Sequence, residues 1–178
     1  MSQKDQIAEK FERHVARAGY AKANLDDIAK ELHISKKTIY VHFDGKREIY
    51  STIVERQAAT EQRRLRGMVA DLPNHRAKAE ALLKLVIGAA RAHIAETSRD
   101  EWLAEYEIAA DAFAKANGDL LHEIVAEGIA AGEFAQGDPA LVEKMCRAML
   151  LEYTLMVNAQ PEYDRDAELV ERVLRFIG

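Results

Sequence analysis

LDDIAKELHISKKTIYVHF, residues 25–43, carries two short apolar patterns separated by a turn. Leu25, Ile28, Ala29 and Leu32 recur at helical spacing behind Asn24, which stands where an N-cap belongs. Asp27, three residues on, is the acidic partner of a short capping box. After LHIS, Ser35 caps a third helix predicted over 36–42, with Ile39 and Phe43 inward. The stretch reads as helix, tight turn, short helix, which is helix-turn-helix geometry. With Ile39 and Phe43 consumed by packing, Lys36, Lys37, Thr38, Tyr40, Val41 and His42 fall on exposed or half-exposed faces.

Such a face is either a solvated turn that happens to be basic, or a surface offered to DNA. A helix entering the major groove needs hydroxyls and amines for phosphates, plus one or two side chains that reach base edges. The helix starts at Asn24 and Lys46 add backbone donors for phosphate. Tyr40 tips the balance: an exposed aromatic beside two lysines is costly on a mere surface and suits a sugar-phosphate wall.

Working outward, Ile7, Phe11, Val15 and Ala18 predict a supporting helix over 3–18 that stops at Gly19. DGK at 44–46 closes the unit and starts a fourth helix, with Ile49, Ile53 and Val54 inward, reaching about Ala70 before DLPNH. The remainder reads as a helical bundle. One helix is marked by Leu82, Leu83, Val86, Ile87 and Ile94, another over 102–113 and a separate one over 120–129. Asp138 and Pro139 open a helix with a broad apolar stripe across 139–158, and Leu169, Val170, Val173, Leu174 and Ile177 mark the last.

Composition agrees with an all-α protein. Three prolines and nine glycines leave long tracts of strong helix formers, and no strand-like alternation is sustained. One cysteine, Cys146, excludes an internal disulfide framework and suits a reducing compartment. The N-terminus lacks the apolar run of a signal peptide, and no 18 apolar residues run together. The expectation is a soluble cytoplasmic protein with no membrane contact. The net charge of −5 is unevenly spread: residues 1–66 hold 14 Lys and Arg against 10 Asp and Glu, residues 67–178 hold 11 against 20. A basic head on an acidic body fits a polyanion-binding domain joined to a domain with another task.

Residues 7–54 resemble the N-terminal domain of the tetracycline-repressor (TetR/AcrR) family of bacterial transcriptional regulators. The resemblance rests on IAEKFERHVARAGY, LDDIAKELHISKKTIYVHF and DGKREIYSTIV. It implies an N-terminal three-helix DNA-binding domain with a helix-turn-helix over 1–48, and a C-terminal helical-bundle domain for ligand binding and dimerisation over 49–178. It also implies that Thr38, Tyr40 and His42 contact backbone or bases, that Lys36 and Lys37 face the groove, and that Lys46 clamps a phosphate. Lys37 replaces a glycine frequent in the family. Ala23 and Asn24 stand where many relatives have two threonines, so Asn24 keeps a polar contact and Ala23 cannot donate one.

A seven-residue recognition helix reads too few base pairs to select one genomic site, so the body is expected to form a homodimer on a double-stranded operator. Met156, Val157, Leu169, Val173 and Ile177 are the candidate interface residues, unless those stripes are buried within the monomer. Trp102, Tyr106, Phe113, Met145, Met149 and Tyr153 are candidates for a pocket that takes a small hydrophobic or amphipathic effector, or are core. Glu105 and His93 are polar candidates there. The expected function is a sequence-specific repressor released by that effector; the alternative is a DNA-binding dimer governed by a protein partner or its own level. An enzyme is disfavoured, with no glycine-rich phosphate loop, no HExxH and no metal-ligand spacing among six histidines. His122 with Glu127, or Glu101 with Glu105, read as solvated helix faces. No metal and no cofactor are expected.

Overall fold

The computed structural model describes residues 1–97 and 99–178, and the side chains of these except at 100, 101, 104, 111 and 114. The described chain is helical, in the order α1 Gln3–Ala18, α2 Leu25–Glu31, α3 Lys36–His42, α4 Lys46–Ala70, α5 His75–Glu96, α6 Arg99–Ala130, α7 Pro139–Ala159 and α8 Asp166–Ile177. Packing divides it into two compact units: Met1–Ala59 with Asp100–Phe113, and Thr60–Arg99 with Ala114–Gly178. The 48/49 boundary is a division by function, which packing does not address.

In the first unit, Ile7, Phe11, Ile28, Ile39, Phe43 and Ile49 are almost wholly buried together. They come from α1 to α4, so burial of one apolar cluster fixes all four elements at once. Polar clamps surround it. Lys10 and His14 on α1 both reach Glu31 on α2, at 3.0 and 2.9 Å, and Arg56 on α4 reaches Asp5 at 2.6 Å.

The turn between α2 and α3 is a Schellman closure. Ile34 N donates to Ala29 O at 3.0 Å and His33 N to Lys30 O at 3.1 Å, with His33 at φ 53°. A side chain thus occupies the left-handed position that glycine usually takes. Ser35 caps α3 by accepting from Thr38 N at 3.0 Å.

Two local expectations are corrected. Asn24 caps α2 by accepting from Asp26 N at 2.9 Å, and no reciprocal box forms, because Asp27 lies toward Lys30 at 3.8 Å. The complete capping box belongs instead to α1, between Ser2 and Asp5. Second, 102–113 and 120–129 are one helix, α6, rather than two. Gly118 falls in the gap between those two stretches, and a mid-helix glycine costs only about 1 kcal/mol against alanine. The space a Cβ would fill there is taken by the Glu143 carboxylate from α7.

In the second unit α5 packs against α7 and α8. Arg91 on α5 ties that corner: Nε donates to both Asp166 oxygens at 2.8 and 2.6 Å, and Nη2 to Tyr153 Oη at 3.0 Å and Tyr163 O at 2.7 Å. Tyr153 in turn donates to Asp166 Oδ1 at 2.5 Å and accepts from Arg165 N at 2.8 Å. Cys146 is buried, and burial together with the Glu143 charge pushes its thiol up to about 11, so little thiolate forms near neutrality. No described helix is long and apolar enough to cross a membrane.

Candidate nucleic-acid interface

Helix α3 turns by about 100° per residue, which sorts its side chains once Ile39 is buried. Thr38 and His42 lie to one side of the buried line, Lys36 and Tyr40 to the other, and Lys37 and Val41 straddle the direction opposite Ile39. Exposure follows this order: Thr38 and His42 are half-buried, while Lys36, Lys37, Tyr40 and Val41 are exposed. Tyr40 is 51% exposed and Val41 74%.

The flanks are braced from within the chain. Thr38 Oγ1 lies 2.8 Å from Ser35 Oγ. His42 Nε2 donates to Gln3 Oε1 at 3.0 Å. On the opposite flank Lys36 Nζ donates to Asp26 Oδ2 at 3.0 Å, and this bond holds the ammonium above its ordinary range.

Lys46, the first residue of α4, donates to Ala21 O at 3.0 Å and sits 4.3 Å from the centre of the Tyr20 ring. Partial burial lowers its pKa. A lysine held this way has its stem fixed while the ammonium, with three donors, retains capacity for an incoming acceptor. Tyr20 is itself fixed by Phe11 at 6.4 Å and Tyr50 at 4.9 Å.

These elements enclose an open cleft of about 390 Å³ lined by Ala21, Lys22, Ala23, Asn24, Leu25, Lys36, Tyr40 and Lys46. The structure therefore brings Asn24, Lys36, Tyr40 and Lys46 to one place, with Lys37 on the outward ridge and Thr38 and His42 on the far flank. Lys22 is a cleft residue the sequence reading did not name; a third lysine just ahead of Asn24 was the available signal. Three ammonium groups, a phenol and an amide around one open cleft match the donors a phosphodiester requires.

The other predicted residues are distributed as follows. Trp102, Tyr106 and Phe113 belong to the first unit, where Trp102 is buried and stacks on Tyr106 at 4.6 Å. Phe113 packs against the core of that unit. Met145, Met149 and Tyr153 belong to the second, where Tyr153 is engaged by Arg91 and Asp166 and Met145 is exposed. Of the interface candidates, Val157, Val173 and Ile177 are buried in this chain's own core because α8 spends its apolar stripe on α5 and α7. Leu169 is half-buried, and Met156 is 41% exposed. Glu105 is buried and hydrogen-bonded to Tyr50, and Glu127 faces His75 at 3.4 Å. The side chain of Glu101 lies outside the described residues. Among the described residues no cluster of His, Cys, Asp or Glu is arranged to hold a metal.

Residues 12–53, which span this helix-turn-helix, match the family model for bacterial regulatory proteins of the tetR family. Over this stretch the chain is similar to the TetR family. Over 52 residues it is 40% identical to the biofilm operon icaADBC HTH-type negative transcriptional regulator IcaR of Staphylococcus epidermidis. The matched stretch is 29% of this chain and 28% of that protein.

Likeness of fold extends along nearly the whole chain. The transcriptional regulator FadR from Bacillus subtilis, in complex with stearoyl-CoA, is similar with a TM-score of 0.67 at 19% identity, over 98% of this chain and 97% of that one. FadR of Thermus thermophilus, a TetR-family transcriptional repressor in complex with lauroyl-CoA, gives 0.72 at 18% identity, over 98% and 93%. At these identities the likeness establishes the fold: an N-terminal helix-turn-helix domain followed by a helical domain.

Proposed function

We propose that this chain is a cytoplasmic transcriptional repressor that binds a palindromic DNA operator as a homodimer and is released by a small hydrophobic or amphipathic effector. The observation that carries the DNA-binding part is the cleft between Lys22, Lys36, Tyr40 and Lys46, a cationic, donor-rich surface on an otherwise acidic protein. One phosphate of the duplex sits in that cleft, and α3 lies in the adjoining major groove.

Repression is supported by the similarity to IcaR, a negative regulator. A dimer is supported by the shortness of α3 and by apolar side chains that α7 leaves exposed, Leu141, Met145 and Met156 among them. Two copies would place their recognition helices about 34 Å apart, one turn of duplex. The effector binds the second domain, and α4, which leads from the DNA-reading helices, carries the change by favouring a spacing that no longer fits the operator. The two FadR structures make a long-chain acyl-CoA the first compound to try.

The test is selection of genomic DNA fragments by the purified full chain, followed by footprinting of the recovered site with and without lauroyl-CoA. Two protected half-sites about one helical turn apart support the proposal, and loss of protection on adding lauroyl-CoA but not CoA alone supports the effector class. Recovery of no common sequence contradicts it.

A further inference from the structure

We propose that Lys37 and Val41 are the base-reading pair of α3, with Val41 packing on the C5 methyl of a thymine and Lys37 donating to a guanine beside it. This rests on the DNA-binding reading above.

Because Ile39 faces the core, Lys37 and Val41 form the ridge that projects furthest from it, and Thr38, His42, Lys36 and Tyr40 form its flanks. A helix seated in the major groove presents its outermost ridge to the groove floor and its flanks to the phosphate walls. The internal bonding divides the same way. Thr38, His42 and Lys36 are braced by Ser35, Gln3 and Asp26, whereas the Lys37 ammonium has no acceptor among the described residues.

Val41 is the sharper case. It is 74% exposed, more so than any large apolar residue of the described chain except Met1. Valine is a poor helix former, and here it contributes almost nothing to the core. The major groove offers one apolar group, the thymine methyl. Lysine, by contrast, is a donor without acceptor capacity, which selects the O6 and N7 acceptors of guanine over the amino groups of adenine and cytosine. Four residues of helix rise by about 6 Å, so the two contacts fall within about two base pairs at roughly 3.4 Å each.

The test uses the full chain and a half-site obtained by selection from random duplex DNA. Each thymine is replaced in turn by deoxyuridine, which removes only the methyl, and wild type is compared with Val41→Ala. The wild type should lose about fourfold in affinity at one thymine of each half-site, the factor worth one buried methyl. Val41→Ala should bind the thymine and deoxyuridine versions equally, and Lys37→Ala should lose its preference at a neighbouring G·C pair. Both variants should keep the wild-type unfolding midpoint, since neither side chain is buried. Undiminished methyl sensitivity in Val41→Ala, or no thymine whose methyl matters, overturns the assignment while leaving DNA binding intact. If the wild type enriches no sequence at all, the DNA-binding reading itself fails.

Discussion

Asp26 holds the ammonium of Lys36 at 3.0 Å, from the first turn of α2 to the first turn of α3. The pair is exposed, so it adds little to stability, but it sets a carboxylate beside the cleft assigned to phosphate. Asp26→Asn removes that negative charge and releases Lys36. Operator affinity should rise several-fold and grow steeper in its salt dependence, with the unfolding midpoint nearly unchanged. Fluorescence titration at several salt concentrations measures the first, and thermal unfolding the second.

Lys46 supplies a converse case. Its stem is pinned by Ala21 O and the Tyr20 ring, so its contact with DNA is made at little cost in side-chain ordering. Lys46→Ala should weaken binding to all sequences alike and lower the slope of log affinity against log salt by about 0.9, the value of one phosphate. A loss confined to the operator would place Lys46 among the base readers instead.

The Arg91, Tyr153 and Asp166 corner makes stability depend on acid. Burial pushes the Asp166 carboxyl up, but the bonds from Arg91 and Tyr153 outweigh it and leave it below its ordinary 3.8. The contribution is therefore complete above pH 3.8 and lost as pH falls through the depressed folded value. Asp166→Ala should cost about 2 kcal/mol near neutral pH, the range of hydrogen bonds to a charged group, and the difference from wild type should shrink in acid. Denaturant unfolding followed across pH checks both.

Two glycines of α6 should respond in opposite ways to a methyl group. At Gly128 a Cβ would strike the ring of Phe134, which is buried, and press on the Cβ of His75. Gly128→Ala should destabilise by about 1–3 kcal/mol through overpacking. At Gly118 the obstacle is the end of the flexible Glu143 side chain. Gly118→Ala should be neutral or gain up to about 1 kcal/mol from helix propensity. Differential scanning calorimetry of the pair reads the contrast.

The N-terminal elements were legible because caps and periodicity agree there. Ser35 and Ile39 locate α3, and Gly19 ends α1, at the residues observed. The helix-turn-helix, and the likeness of its residues to the TetR family, followed from the same stretch. The break expected between 113 and 120 was not real: a glycine within a helix costs little, and α6 runs on through Gly118. Likewise the stripes holding Val157, Val173 and Ile177 show that those faces are apolar, but not that α5 covers them. The cleft was legible in its lysines on α3 and α4; Lys22 stood in sequence just ahead of Asn24, and the fold makes it line the same cleft as Lys46. That Lys37 and Val41 project furthest from the core follows from helical spacing once Ile39 is inward, and the half-burial of Thr38 and His42 agrees with it.

If the face around Tyr40 holds a specific duplex, binding should depend on that side chain. The most direct measurement is the affinity of the full chain for its selected DNA against a scrambled fragment, wild type beside Tyr40→Ala, at two salt concentrations. Binding should be salt-sensitive, favour the selected fragment and fall at least about tenfold in Tyr40→Ala, the scale of one good contact, with the fold intact by thermal unfolding. Equal affinity for both fragments, or a Tyr40→Ala variant that binds as wild type does, would contradict it.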